Sequence, residues 1–93
     1  MPYIEKKTRE VVDPSNELPV IGDQCDGPGE LNFAICRLIT GYLGTNVGGR
    51  PGYSDWNEVI GVLSCIQLEI NRRFLGPLEE TKQSINGDVF TDV

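Results

Sequence analysis

Apolar residues recur at three- and four-residue steps over two long stretches, and at no sustained step before residue 28. In the first stretch Leu31, Ala34, Ile35, Leu38 and Tyr42 share one helical face, with Ile39 at its edge. This predicts a helix over about 28–43, with Pro28 in its first turn, Glu30 near its positive end and Gly44 as its C-terminal stop. In the second stretch Trp56, Val59, Ile60, Leu63, Ile66, Ile70 and Phe74 form the main stripe of a helix over about 54–75. Ser54 suits its N-cap and Asp55 its first turn. The main stripe is expected to pack on the first helix.

A second stripe lies almost opposite the first. Glu58, Val62, Cys65, Glu69 and Arg72 follow steps of 4, 3, 4 and 3, the seam spacing of paired helices. This mixed face is expected to meet another chain or the N-terminal arm. Gly76-Pro77 is expected to break or kink the helix. A short amphipathic helix follows at about 77–85, closed by Asn86-Gly87.

The flanking pieces carry less pattern. Residues 1–27 hold Pro2, Pro14 and Pro19, and read as an irregular arm of extended segments with one short turn, which Asp13-Pro14 could open, lying over a helical core. Pro19 argues against a long helix there. The glycine-rich stretch 44–52 reads as a plain helix–helix connection. A phosphate loop would need a strand before it and Gly-Lys-Ser/Thr within it, and Arg50-Pro51 stands there instead. The domain expectation is one small domain over 1–93, with an arm (1–27), a helical core (28–85) and a tail (86–93). The fold expectation is all-α, a helical hairpin of two main helices plus a short C-terminal helix.

Length changes this picture. A chain of 93 residues buries a modest share of its surface and generally needs a disulfide, a metal or a second chain for help. Cys25, Cys36 and Cys65 are odd in number and irregularly spaced, and the chain contains no histidine. Three thiols alone do not complete a structural zinc site. Cys36 and Cys65 are therefore expected to pack as small hydrophobes in a reducing cytosol. Self-association, as a dimer, is the remaining source of stability.

The formal charge of −6 argues against a general nucleic-acid binder, which needs a basic footprint. No apolar run approaches a membrane span and no signal-peptide pattern opens the chain, so a cytoplasmic protein without a membrane role is expected. Lack of histidine removes the commonest general base and transition-metal ligand. Glu58 and Glu69 lie about 16 Å apart by helical rise, too far to bind one magnesium within a chain. No enzyme, cofactor or metal site is expected.

The order of short motifs along the chain resembles a family of uncharacterised proteins of about this length from phages, prophages and bacteria. Met1-Pro2-Tyr3-Ile4, Asp13-Pro14, Gly29-Glu30-Leu31-Asn32 and Arg37-Leu38-Ile39 carry the first half of the match. Asn57-Glu58-Val59-Ile60-Gly61-Val62-Leu63, Glu69 with Arg72-Arg73, Pro77 and Asn86-Gly87-Asp88-Val89 carry the second. Three departures stand out. Pro19 interrupts a segment that looks helical in the family, the loop 44–52 looks inserted, and Ile70-Asn71 replaces an aromatic residue before the paired arginines. The resemblance implies a phage or mobile-element setting and brings no activity with it.

The polar residues that could form a ligand or interface site are Asn32, Arg37, Asn57, Glu58, Glu69, Arg72 and Arg73, with Trp56 beside them. The plainer reading makes the acids and arginines ion pairs at a helix interface, and has Asn32 and Asn57 bonding to helix ends. The sharper reading is a pocket between subunits, where arginines meet phosphates and Trp56, Tyr53 or Phe33 stacks a base. Two functions follow. One is a protein-interaction module that binds a host or phage protein and inhibits it. The other is an oligomer that sequesters a nucleotide signal of host defence.

Overall fold

In a computed structural model, which describes residues 2–91, the protein is all-α, and no strand occurs among the described residues. The helices are α1 (Lys6–Val12), α2 (Leu18–Asp23), α3 (Pro28–Asn46), α4 (Tyr53–Ile70) and α5 (Gly76–Asn86), with a π-type segment at Asn71–Leu75 between the last two. The chain divides into two compact units, Met1–Val59 and Ile60–Val93. Of the motif residues Met1 lies outside the described residues, as do Asp92 and Val93 of the expected tail.

The first unit begins with the arm, which is more ordered than expected. Lys6, Lys7, Arg9 and Glu10 are strong helix formers, and the straight-chain run supports α1 without burying any residue. Arg9 Nε donates to the Ile4 carbonyl at 2.9 Å and ties the extended lead-in to the helix. Asp13 then serves two helices. Its backbone N–H donates to the Arg9 carbonyl at 2.8 Å and closes α1. Its carboxylate accepts from the Glu17 N–H at 2.7 Å and the Leu18 N–H at 3.3 Å, which opens α2. Asn16 makes the turn between them at φ 54°, a left-handed conformation that asparagine tolerates better than most residues.

Pro19 falls within the first turn of α2, where the backbone N–H has no partner inside the helix. It therefore starts a short helix instead of preventing one, and the irregular arm becomes a helix–turn–helix lead whose second helix, α2, meets α3.

Helix α3 overruns the expected stop at Gly44 and ends after Asn46, with Val47 as its C-cap. Asn46 Nδ2 donates to the Tyr42 carbonyl at 2.9 Å and the Val47 N–H to Leu43 at 3.1 Å, so two carbonyls of the last turn are satisfied. Helix α4 starts earlier than expected. Gly52 takes the N-cap position in place of Ser54, since the Trp56 N–H reaches the Gly52 carbonyl at 3.3 Å. Asp55 Oδ2 accepts from the Gly52 N–H at 2.8 Å, the returning half of a capping box.

The second unit is built on helix. Gly76-Pro77 does not break it. Proline lacks the N–H that an α-helix would use and its ring crowds the carbonyl one turn back. Here the Gly76 N–H donates to the Asn71 carbonyl, five residues earlier, and the widened turn carries the chain past Pro77 into α5. Gly87, at φ 93° and ψ 157°, ends α5 while its N–H caps the Gln83 carbonyl at 2.8 Å.

Burial is sparse. Among the described residues, Leu43 and Val59 are the buried hydrophobic ones, at 4% and 7% exposure. Of the main stripe expected to form a core, Val59 is buried, whereas Trp56, Ile60, Leu63, Ile66, Ile70 and Phe74 are all exposed.

Candidate functional site

In the first unit, Asn32 and Arg37 lie on α3, and Trp56, Asn57 and Glu58 on the first turns of α4. Asn32 does not bond to a helix end. Its Oδ1 accepts from Cys36 Sγ at 3.4 Å, one turn along the same helix. Five residues separate Asn32 from Arg37, which puts them on different sides of α3. Arg37, Asn57 and Glu58 are exposed, and Trp56 keeps half its surface open. The two other aromatics named for stacking, Phe33 and Tyr53, are more exposed still.

In the second unit Glu69 and Arg72 are brought together. Arg72 Nε donates to Glu69 Oε1 at 3.0 Å, and a terminal guanidinium nitrogen donates to the same oxygen. The pair spans three residues of one helix, the spacing at which helical neighbours meet. The Arg73 guanidinium lies 5.2 Å from the centre of the Phe74 ring, within cation–π range. Both arginines thus engage neighbours on their own helix.

The cysteines depart from expectation. All three are free thiols, with Cys25 half-buried and Cys36 and Cys65 exposed, so the latter two do not pack as interior hydrophobes. No group of three or more His, Cys, Asp or Glu residues among the described residues could hold a metal ion. No helix among the described residues is long and apolar enough to cross a membrane.

Open grooves mark both units. One, in the first unit, is lined by Tyr3, Ile4, Arg9, Val12 and Leu18. In the second, Leu63, Ile66, Gln67, Ile70, Asn71 and Leu75 line a groove along the helix, and residues of α5 with Val89 and Phe90 line another. None of these three takes in Arg37, Arg72 or Arg73.

The helical groove shows what the pattern reading missed. Ile70 and Leu75 line it together although five residues separate them. At α-helical spacing they would point to different sides. The available signal was Pro77, whose missing N–H invites a widened turn just before it.

No curated protein and no solved structure matches the chain. A family model for a domain of unknown function, DUF6899, matches residues 1–89, and the chain belongs to that family.

Proposed function

We propose that the chain is a small non-enzymatic helical module that self-associates and engages another protein through the assembled surface. One observation carries this reading. Leu43 and Val59 are buried, while apolar side chains along every helix, from Val11 to Ile85, are exposed. Exposed apolar surface of this extent supports a role in protein–protein contact.

The finer form of the proposal is a phage or mobile-element accessory protein that docks on a host protein in the host cytoplasm and inhibits it. Support for that setting is the end-to-end resemblance of the motifs, from Pro2-Tyr3-Ile4 to Asn86-Gly87-Asp88-Val89. The nucleotide-sequestering reading draws less support. Arg72 is held by Glu69, and Arg73 lies over Phe74.

Native mass spectrometry of gently purified protein tests the proposal. A bare oligomer is the expected result. An oligomer retaining a small molecule at each site would replace the proposal with the ligand-binding reading. A monomer across the working concentration range would overturn self-association.

A further inference from the structure

The π-type segment changes which residues of the second unit form a continuous seam. Ile60, Leu63, Gln67 and Ile70 follow steps of 3, 4 and 3. The next step, Ile70 to Leu75, is five residues, and the steps to Leu78, Lys82 and Ile85 are 3, 4 and 3. Across the π turn five residues take the place of four, because the closing bond runs from the Gly76 N–H back to Asn71. The long step therefore acts as a step of four, and the heptad spacing of a coiled-coil seam holds from Ile60 to Ile85. The groove shared by Leu63, Gln67, Ile70 and Leu75 shows the two sides of the turn in register. Every apolar member of the seam is exposed, from Leu63 at 37% to Ile85 at 73%.

We infer that this seam pairs with the same seam of a second copy of the chain, in antiparallel orientation. The inference rests on the self-association proposed above and adds the face and direction. Area supports a second copy as the occupant. The chain exposes 8328 Å². Two separate folded bodies of these sizes would expose only about 6,400 Å². The excess over both units together, on the order of 1,900 Å², is more than the ~800 Å² per partner that a standard interface buries, and the seam's exposed residues contribute to it.

Charge selects the direction. In a parallel pair Lys82 would face Lys82 of the second copy inside the seam, with like charges opposed. In an antiparallel pair the layers are Ile60 with Ile85, Leu63 with Lys82, Gln67 with Leu78 and Ile70 with Leu75. Lys82 then lays its methylene stem on Leu63 of the second copy and keeps its ammonium in water. Opposed helix dipoles favour the same direction. Val62, Cys65 and Glu69, from the stripe first expected to be the seam, fall on the outer side of this pair.

Sedimentation of the full-length chain and two variants tests the seam. Ile70→Lys places a charge in the central layer and is expected to weaken association at least 100-fold. Val62→Lys, an equal change on the outer side, is expected to leave association within about threefold of the starting protein. A starting protein that is monomeric at 100 μM overturns both self-association and the seam. A self-associating protein that tolerates Ile70→Lys, or that dissociates with Val62→Lys, overturns the seam alone. Direction is read by mild oxidation of a mixture of Leu63→Cys and Lys82→Cys chains, each with Cys25, Cys36 and Cys65 changed to Ser. Cross-links between the two kinds of chain are expected to exceed like–like cross-links at least tenfold. In the antiparallel pair two like positions lie about 28 Å apart by helical rise. Predominant like–like cross-links overturn the direction.

Discussion

The carbonyl oxygen of Asn71 lies 2.9 Å from the point where a side chain at Gly76 would begin. The same oxygen accepts the Gly76 N–H, so the contact is a product of the π turn and cannot be relieved by a rotamer change. In an ordinary exposed helix, Gly→Ala stabilises by about 1 kcal/mol. Here the sign should reverse. Gly76→Ala is expected to destabilise by about 1–3 kcal/mol, the usual scale for forced overpacking. Thermal unfolding followed by circular dichroism checks it, and a raised midpoint would show that the turn relaxes to α geometry without loss.

Gly87, at the end of α5, is constrained by its backbone angles. At φ 93° and ψ 157°, Gly87 occupies a region that is almost closed to L-residues. Gly87→Ala is expected to cost about 1–3 kcal/mol by the same steric limit. The loss should be local, because the bond at risk is the Gly87 N–H to the Gln83 carbonyl. Cα chemical shifts of residues 83–86 would move toward coil, while those of α3 would stay in place.

Asp13 is predicted to be the hinge-pin of the N-terminal lead. Asp13→Ala removes the acceptor of two amide protons at the start of α2. Loss of such a cap costs about 0.5–2 kcal/mol. Faster hydrogen exchange at Glu17 and Leu18 is the expected readout. Asp13→Asn, which keeps a side-chain oxygen, should retain most of the protection. Equal exchange in all three proteins would show that the carboxylate does not cap α2 in solution.

The Glu69–Arg72 pair predicts a small effect. Arg72 keeps 67% of its side chain in water and Glu69 keeps 23%, so solvent and salt screen the pair. Arg72→Ala is expected to lower stability by about 0.2–0.5 kcal/mol at low salt. The difference should shrink at 1 M salt, where the screening length is about 3 Å. A salt-independent loss above 1 kcal/mol would mean that Arg72 does more than pair with Glu69.

Much of the helical order was legible along the chain. Three- and four-residue periodicity marked α3 and α4 to within a few residues, and Asn86-Gly87 marked the end of α5. The helix ends were less legible, because caps depend on which side chain reaches which amide. Asp55 reaches Gly52, and this moves the start of α4 upstream of Ser54. Pro19 looked like a helix breaker because sequence alone does not show that it falls in a first turn, where its missing N–H costs nothing. Among the candidate site residues, the Glu69–Arg72 pair was legible from spacing. The partner of Asn32 was not, since the choice between a helix end and Cys36 depends on side-chain rotamers.

The sequence by itself determined the all-helical class and the two long amphipathic stretches. These follow from local periodicity and residue chemistry, which act within a few residues of chain. Only the tertiary structure decided that Gly76-Pro77 is crossed by a widened turn and that Ile70 and Leu75 share a groove. It also decided that the main stripe retains only Val59 as a buried residue. The physical reason is that one extra residue in a turn rotates everything after it, while local spacing rules assume a constant 3.6 residues per turn. Burial likewise depends on what comes to rest against a face, and a pattern of apolar residues records the face without its cover.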